Sequence, residues 1–467
     1  MITGNNRYRV AVFLFLALSL FFASRAGAGQ PGEPNVLLIT IDTLRADHVS
    51  AYGYTRETTP NIDKLAEEGV RFEDAYCTVP FTGPSHASIL TGLPPYLHGA
   101  LINGVRIHGE VTTLQEYLQD AGYATSAVVS AWPLKDKSCG LRRGFDTYDE
   151  EFVNAYGIWH TQQFGDITAD KAIRWLHANA GKKFFLWVHL FDPHQPYRSN
   201  PGFTEFKDLK RACVDSLYKR KPKWNEVVDR YDSEILFTDH QVGRILQALR
   251  ELKCFGKTLV VITADHGESL GERGYNGHGR HLYESSVRVP LVFHFPGRAF
   301  QGKEVATEVS TMDIMPTILD FLGIPVDFPK WNTGASLLPL LRSEPVGPDR
   351  FVEFAIYSGK VGRFPRFFSI LWYQKSDKTL PKRIGMSRDG WKVIFTPEKK
   401  TELFNVKEDP TETKNLNKKH PQLSLRLKSE VVENFQKSPG LEELKRVRKV
   451  KLDRETREKL KSLGYMK

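Results

Sequence analysis

The sequence predicts an α/β fold: a large domain with a mainly parallel central sheet covered by helices on both faces, then a small C-terminal α+β subdomain with an antiparallel sheet. Three observations lead there. Short apolar runs (NVLLITID, YATSAVVSA, KFFLWVHLFD and TLVVITADHG) alternate with segments of helical periodicity, the pattern of strands buried on both faces. Three of these runs end on an aspartate, Asp42, Asp192 and Asp265, where ligands bind in open α/β sheets. Beyond about residue 350 the segments shorten, and SRDGWKVIF places an Asp-Gly turn signal before a strand.

The elements follow in chain order. Arg7 and Arg9 precede an apolar run from Val10 to Ala23, and Ala26-Gly27-Ala28 has the small-x-small form of a cleavage site, so residues 1–28 read as a signal peptide. The run falls short of the roughly 20 residues that span a bilayer, so no membrane span is expected after cleavage, and the protein is expected to be periplasmic or secreted. An uncleaved anchor is the alternative. Residues 29–350 are expected to form the catalytic domain, and 351–467 a small subdomain with a basic helical tail. Between the third and fourth strands, EILFTDHQVGRILQALREL sets Ile235, Val242, Ile245, Leu246, Leu249 and Leu252 at helical spacing, a covering helix. With 467 residues, 41% of them hydrophobic, the chain is too apolar for disorder. The four cysteines, Cys77, Cys139, Cys213 and Cys254, show no metal-ligand spacing and read as structural. The formal charge of +10 is carried largely by the tail, a solvated helix in pattern, and no nucleic-acid partner is expected.

The chemistry lies after the strands. FDPHQPY brings Asp192 and His194, and ADHGESLGERGYNGHGRHLYE brings Asp265, His266, His278 and His281. Carboxylates with neutral imidazoles suit zinc, manganese or iron better than the all-oxygen shell of calcium. Asp239-His240 carries the same two letters inside the covering helix and reads as packing. FTGPSHASILTG places Thr82 at or just before a helix N-terminus, where backbone N–H groups and the helix dipole favour an anion. A hydroxyl there, close to a metal that lowers its pKa, is an activated nucleophile. A plain capping threonine is the alternative.

The segments NVLLITIDTLRADHVSAYGY, TTPNIDKLAEEGVRFEDAY, TGPSHASILTG, FFLWVHLFDPHQPY, VVITADHGESLGERG, LYESSVRVPLVF and ELFNVKEDPTETKNL resemble, in order, those of the sulfatase family of the alkaline phosphatase superfamily. The resemblance implies an alkaline-phosphatase-like fold. It also marks departures. Thr82 stands where the usual sulfatases carry the Cys or Ser oxidised to formylglycine, and His86 stands at their arginine position. Thr43 follows Asp42 where many have a second Asp, and His266 follows Asp265 where they often have Asn. Oxidised threonine could give only a ketone, so the resemblance is to a threonine-nucleophile, non-formylglycine type, as in the phosphotransfer branches of the superfamily.

That resemblance implies a divalent metal, one or two ions, with zinc or manganese favoured over calcium. Asp42, Thr82, Asp265 and His266 would share one ion, and Asp192, His194 and His278 would serve a second. His98 and His281 have two readings, contact with substrate oxygens or leaving group and a structural role. The candidate catalytic set is thus Thr82, His86, His98, His194 and His281, and the metal set Asp42, Thr82, Asp192, Asp265, His266 and His278. The expected substrate is an anionic phosphate, phosphonate or sulfate ester. The reaction expected is in-line attack by Thr82, with the backbone N–H groups after it holding the non-bridging oxygens. A sulfuric ester hydrolase acting without formylglycine, a phospho-headgroup transferase and a non-catalytic binding protein on the same fold are the alternatives.

Overall fold

Among the described residues nine strands form the main sheet, and the four apolar runs are its centre. A computed structural model describes residues 33–153, 162–197, 202–203, 222–326, 333–345, 350–357, 381–396 and 400–437. The expected signal peptide, the basic tail beyond residue 437 and Cys213 lie outside the described residues.

In chain order the main strands are β1 (Asn35–Ile41), β2 (Val70–Tyr76), β3 (Ala124–Val128), β4 (Thr147–Asp149), β5 (Phe184–Leu190) and β6 (Thr258–Ala264). A two-stranded ribbon follows, β7 (Ser269–Leu270) with β8 (Asn276–Gly277), and then β9 (Arg288–His294), β10 (Lys303–Val305) and β11 (Val309–Ser310) return to the main sheet. The order is β10-β2-β9-β6-β1-β5-β3-β4, with β11 also on β2. β1 pairs in parallel with both β5 and β6, and β5 with β3, whereas β9 runs antiparallel to β6 and β2. Every residue of β1, β5 and β6 is buried, as continuous apolar strands in a doubly covered sheet require.

The helices used below are α1 (Pro60–Glu67), α2 (Thr82–Thr91), α3 (Gly165–Asn179), α4 (Pro222–Glu251), α5 (Ile314–Phe321) and α6 (Pro421–Lys437). The apolar stripe expected for the covering helix is the buried face of α4: Ile235, Val242, Ile245, Leu246 and Leu249 are each at most 1% exposed. Among the described residues no helix is long and apolar enough to cross a membrane.

The chain ends in an antiparallel sheet, β12 (Val352–Ile356), β13 (Arg383–Arg388), β14 (Trp391–Phe395) and β15 (Thr401–Asn405). The Asp-Gly signal is the turn between β13 and β14: Asp389 and Gly390, at φ 53° and 79°, give the two positive values a two-residue turn of primed type needs. Strand alternation divides this sheet's side chains. Ile384, Met386, Val393, Phe395 and Leu403 pack with Leu427 and Val431 of α6. Val352, Phe354, Ile356, Ile394 and Phe404 join the core of the main sheet.

Candidate active site

Because β6, β1 and β5 are neighbours and parallel, their carboxyl ends bring residues distant in sequence to one edge. Asp42 follows β1, with its N–H donating to the Leu190 carbonyl of β5 at 2.9 Å. Asp265 follows β6; its Oδ1 accepts from the N–H groups of Thr43 (3.1 Å) and His266 (2.8 Å), which fixes the carboxyl plane. The chain turns sharply here. Thr43 holds φ 56°, a left-handed conformation costly for a β-branched residue, and the Tyr231 hydroxyl braces the turn by donating to the Thr43 carbonyl at 2.7 Å.

Thr82 is the first residue of α2, and every residue of that helix is buried. The Ser85 hydroxyl donates to the Asp265 carbonyl at 2.6 Å, anchoring the helix start on the end of β6. The Thr82 hydroxyl faces Asp42 Oδ2 at 3.5 Å. One expectation is corrected. The Gly83 N–H donates to Asn103 Oδ1 at 2.7 Å, Pro84 has no N–H, and the Ser85 N–H bonds to the Phe81 carbonyl at 3.0 Å. The groups after Thr82 are therefore committed inside the protein and do not form an anion cradle.

Histidines surround the carboxylates. His266 Nδ1 lies 3.0 Å from the Gly267 carbonyl, which can only accept, so that nitrogen carries the proton and Nε2 presents a lone pair. That lone pair is 3.4 Å from Asp265 Oδ2 and 3.9 Å from Asp42 Oδ1. The following residue must be small, because a Cβ on Gly267 would stand only 2.4 Å from the Ser285 carbonyl oxygen. His86 lies one turn into α2; its Nδ1 donates to the Thr82 carbonyl at 2.7 Å and its Nε2 meets the Thr40 hydroxyl at 2.9 Å. It braces the first turn of α2. His189, on β5 opposite Thr40, also faces this cluster, with Nε2 at 3.5 Å from Asp42 Oδ2. Sequence reasoning missed it; the one signal was a histidine inside an otherwise apolar strand.

His194 and His278 meet Nε2 to Nε2 at 3.2 Å, and His278 stacks on His266 with ring centroids 4.3 Å apart. Their Nδ1 atoms face the Gln195 and Pro80 carbonyls, so the Nε2 pair hydrogen-bonds only when one of the two carries a proton. Burial opposes that proton, pushing His194 down to about 4 and His278 well below its usual range.

Three predicted residues are engaged elsewhere. Asp192 Oδ2 accepts the Gly165 N–H at 2.8 Å, at the first turn of α3. His98 lies between the Ser88 hydroxyl and the Ala100 N–H. His281 faces the Ser269 and Ser286 hydroxyls and packs against the rings of Tyr275 and Tyr283. Asp239, read as packing, does pack: it accepts the N–H groups of Asn61 and Ile62 at 3.0 and 2.9 Å, in the first turn of α1.

The electrostatics of the cluster call for a cation. Burial raises Asp42 well above the usual carboxylate range despite the Thr82 contact, and burial together with the Asp42 charge raises Asp265. Burial holds His266 and His189 neutral, each pushed down to about 3. Among the described residues, the ion-pair contacts of Asp42 and Asp265 are to histidines alone, with no lysine or arginine to balance two carboxylates. Asp42 Oδ1, Asp265 Oδ2 and His266 Nε2 are buried without hydrogen-bond partners, and Asp42, Asp265 and His266 together have the spacing of a metal site. Buried polar atoms are normally satisfied, so this donor set fits a divalent ion.

Comparison with known proteins agrees with this architecture. Residues 34–324 match the family model described as Sulfatase, and residues 271–437 match that described as N-sulphoglucosamine sulphohydrolase, C-terminal. The N-acetylglucosamine-6-O-sulfatase of Bacteroides thetaiotaomicron is 25% identical over 86% of this chain and 85% of its own. The arylsulfatase of Clostridium perfringens is 28% identical over 66% of this chain and 79% of its own. The crystal structure of a phosphonate monoester hydrolase of Agrobacterium radiobacter superposes with a TM-score of 0.70, covering 86% of this chain and 95% of that one at 20% identity, a likeness of fold. With its family model spanning more than half the sequence and a parallel sheet that gathers Asp42, Thr82, Asp265 and His266 at one edge, the chain belongs to the sulfatase family.

Proposed function

We propose that the protein is an exported, metal-dependent hydrolase that cleaves a phosphate, phosphonate or sulfate ester through a covalent Thr82 intermediate. One observation carries this reading: a buried hydroxyl at a helix start faces Asp42 Oδ2 at 3.5 Å, beside carboxylate and imidazole atoms that lack partners. The named relatives, sulfatases and a phosphonate monoester hydrolase, support hydrolysis of such an ester. A divalent ion held by Asp42, Asp265 and His266 would lower the pKa of the Thr82 hydroxyl and screen the charge that develops on the substrate.

Thr82 Oγ1 attacks phosphorus or sulfur in line with the ester oxygen, and its proton passes to Asp42, the acceptor it faces. The new Oγ1–P or Oγ1–S bond replaces the ester bond. The departing oxygen takes a proton from the His194–His278 pair; a bound anion raises the pair's affinity for the proton that burial alone disfavours. Water then attacks the same centre and gives a proton back to that pair, while Thr82 Oγ1 departs with the proton that Asp42 had held and the inorganic anion is released. His86 keeps the Thr82 carbonyl, and with it the first turn of α2, in place.

The test is initial rates on matched aryl sulfate, phosphate monoester, phosphodiester and phosphonate substrates, with zinc, manganese or calcium added. Turnover that needs zinc or manganese and disappears on chelation is expected. Equal rates after chelation would end the metal-dependent reading.

A further inference from the structure

His189 has a feature that the rest of the histidine cluster explains only with an ion present. Its ring lies on β5, opposite Thr40 of β1 and wholly buried. The Ser130 hydroxyl contacts both the His189 carbonyl and His189 Nδ1, the latter at 3.0 Å. The carbonyl can only accept, so the single Ser130 proton goes there, and the Ser130 oxygen must accept from Nδ1–H. The ring is thereby set in the tautomer whose Nε2 is a bare lone pair. That lone pair has no hydrogen-bond partner and stands 3.5 Å from Asp42 Oδ2, itself an acceptor. Two acceptors face each other across a buried gap, which is unfavourable unless a proton or a cation lies between them.

His86, 4.9 Å away ring to ring, is the contrasting case. Trp187 Nε1–H donates to the Thr40 hydroxyl oxygen at 3.0 Å, so that hydroxyl gives its own proton to His86 Nε2, and the opposite nitrogen donates to Thr82. Both nitrogens of His86 are satisfied. Of the two rings that share the spacing of a metal group with Asp265, only His189 offers a free lone pair.

We propose that His189 is a ligand of the metal, so that Asp42, Asp265, His266 and His189 form a donor set of two carboxylates and two imidazoles. The inference rests on the metal dependence proposed above. It also sharpens the choice of ion: two nitrogen donors fit zinc or manganese and disfavour calcium, which takes six to eight oxygens. Ser130 then acts as a positioning residue, orienting the ligand through its other nitrogen, as partners of ligating histidines do.

The experiment measures zinc affinity of the full chain by competition with a chromophoric chelator, and the visible spectrum of the cobalt-substituted protein, for the wild type, His189→Ala, His189→Gln and Ser130→Ala. His189→Gln keeps a side chain able to bond Ser130, and melting of the metal-free proteins checks that each is folded. Loss of a ligand is expected to weaken zinc by more than the ~10–100-fold typical of an outer partner, and to change the cobalt spectrum. Ser130→Ala is expected to fall within that ~10–100-fold range with the spectrum nearly kept. Unchanged zinc affinity and spectrum in both His189 variants, with the wild type binding normally, would overturn the role of His189 alone. A wild-type protein that takes up neither zinc nor manganese would overturn the metal-dependent reading as well.

Discussion

Thr82, Asp42 and Asp265 have no purpose singly that an ordinary capping residue or turn aspartate could not serve; the fold makes them a site by burying them together. Thr82→Ala removes one hydroxyl from a helix start whose main anchor is the Ser85 bond to Asp265, so the fold should persist while turnover falls to background. Initial rates and a melting curve on one preparation check both halves. Asp265→Asn keeps an oxygen for the Thr43 and His266 N–H groups but removes a charge from the shell of the proposed cation. In the wild type, zinc should raise the melting temperature, since a ligand that binds only the folded state stabilises it by mass action. In Asp265→Asn that rise should shrink or vanish. At this scale the site was half legible. Asp42, Thr82, Asp265 and His266 sit at strand or helix ends, where sequence position predicts convergence. His189 sits within a strand, and its proposed role depends on the β1–β5 register and on Ser130, neither of which a linear reading displays. Asp192 also follows a strand, and its contact with the first turn of α3 is equally invisible in a linear reading.

Among the elements, the central strands and the covering helix were readable because each has its own periodicity, and the Asp389-Gly390 hairpin because its turn demands those residue types. The antiparallel strand β9 gave no comparable signal, since a buried apolar run does not reveal its direction. Asp239 shows how one element fixes another. From within α4 it holds two N–H groups in the first turn of α1, and a change to Ala would leave them buried without an acceptor, a loss of about 1–3 kcal/mol. Burial pushes its carboxyl from 3.8 up to about 7. The folded protein therefore holds the proton more tightly than the unfolded chain, and this group's contribution to stability declines as pH rises from about 4 to about 7. Denaturant unfolding across that range should show a smaller decline in Asp239→Asn than in the wild type.

At the scale of the whole molecule, the two sheets are one packed body. The Ala355 N–H of β12 donates to the Thr78 carbonyl beyond β2, and Phe354 stacks on Tyr76 at 5.9 Å. Lys392 of β14 is fully buried and reaches Glu284 at 2.7 Å and Glu412 at 3.1 Å, joining the small sheet to the segment that precedes β9. Those two carboxylates hold the lysine charged against the desolvation that would lower its pKa. Lys392→Met would strand both carboxylates in the interior and should destabilise the protein by about 3–5 kcal/mol, measured by denaturant unfolding, with residual activity still dependent on Thr82.

Trapping the intermediate tests the central claim most directly. Enzyme acid-quenched during steady turnover of a good ester substrate, digested and mapped by mass spectrometry, should carry the transferred phosphoryl or sulfuryl group on the peptide containing Thr82, and Thr82→Ala should carry none. Turnover with an unmodified Thr82 peptide, unchanged in the Thr82→Ala protein, would contradict the account.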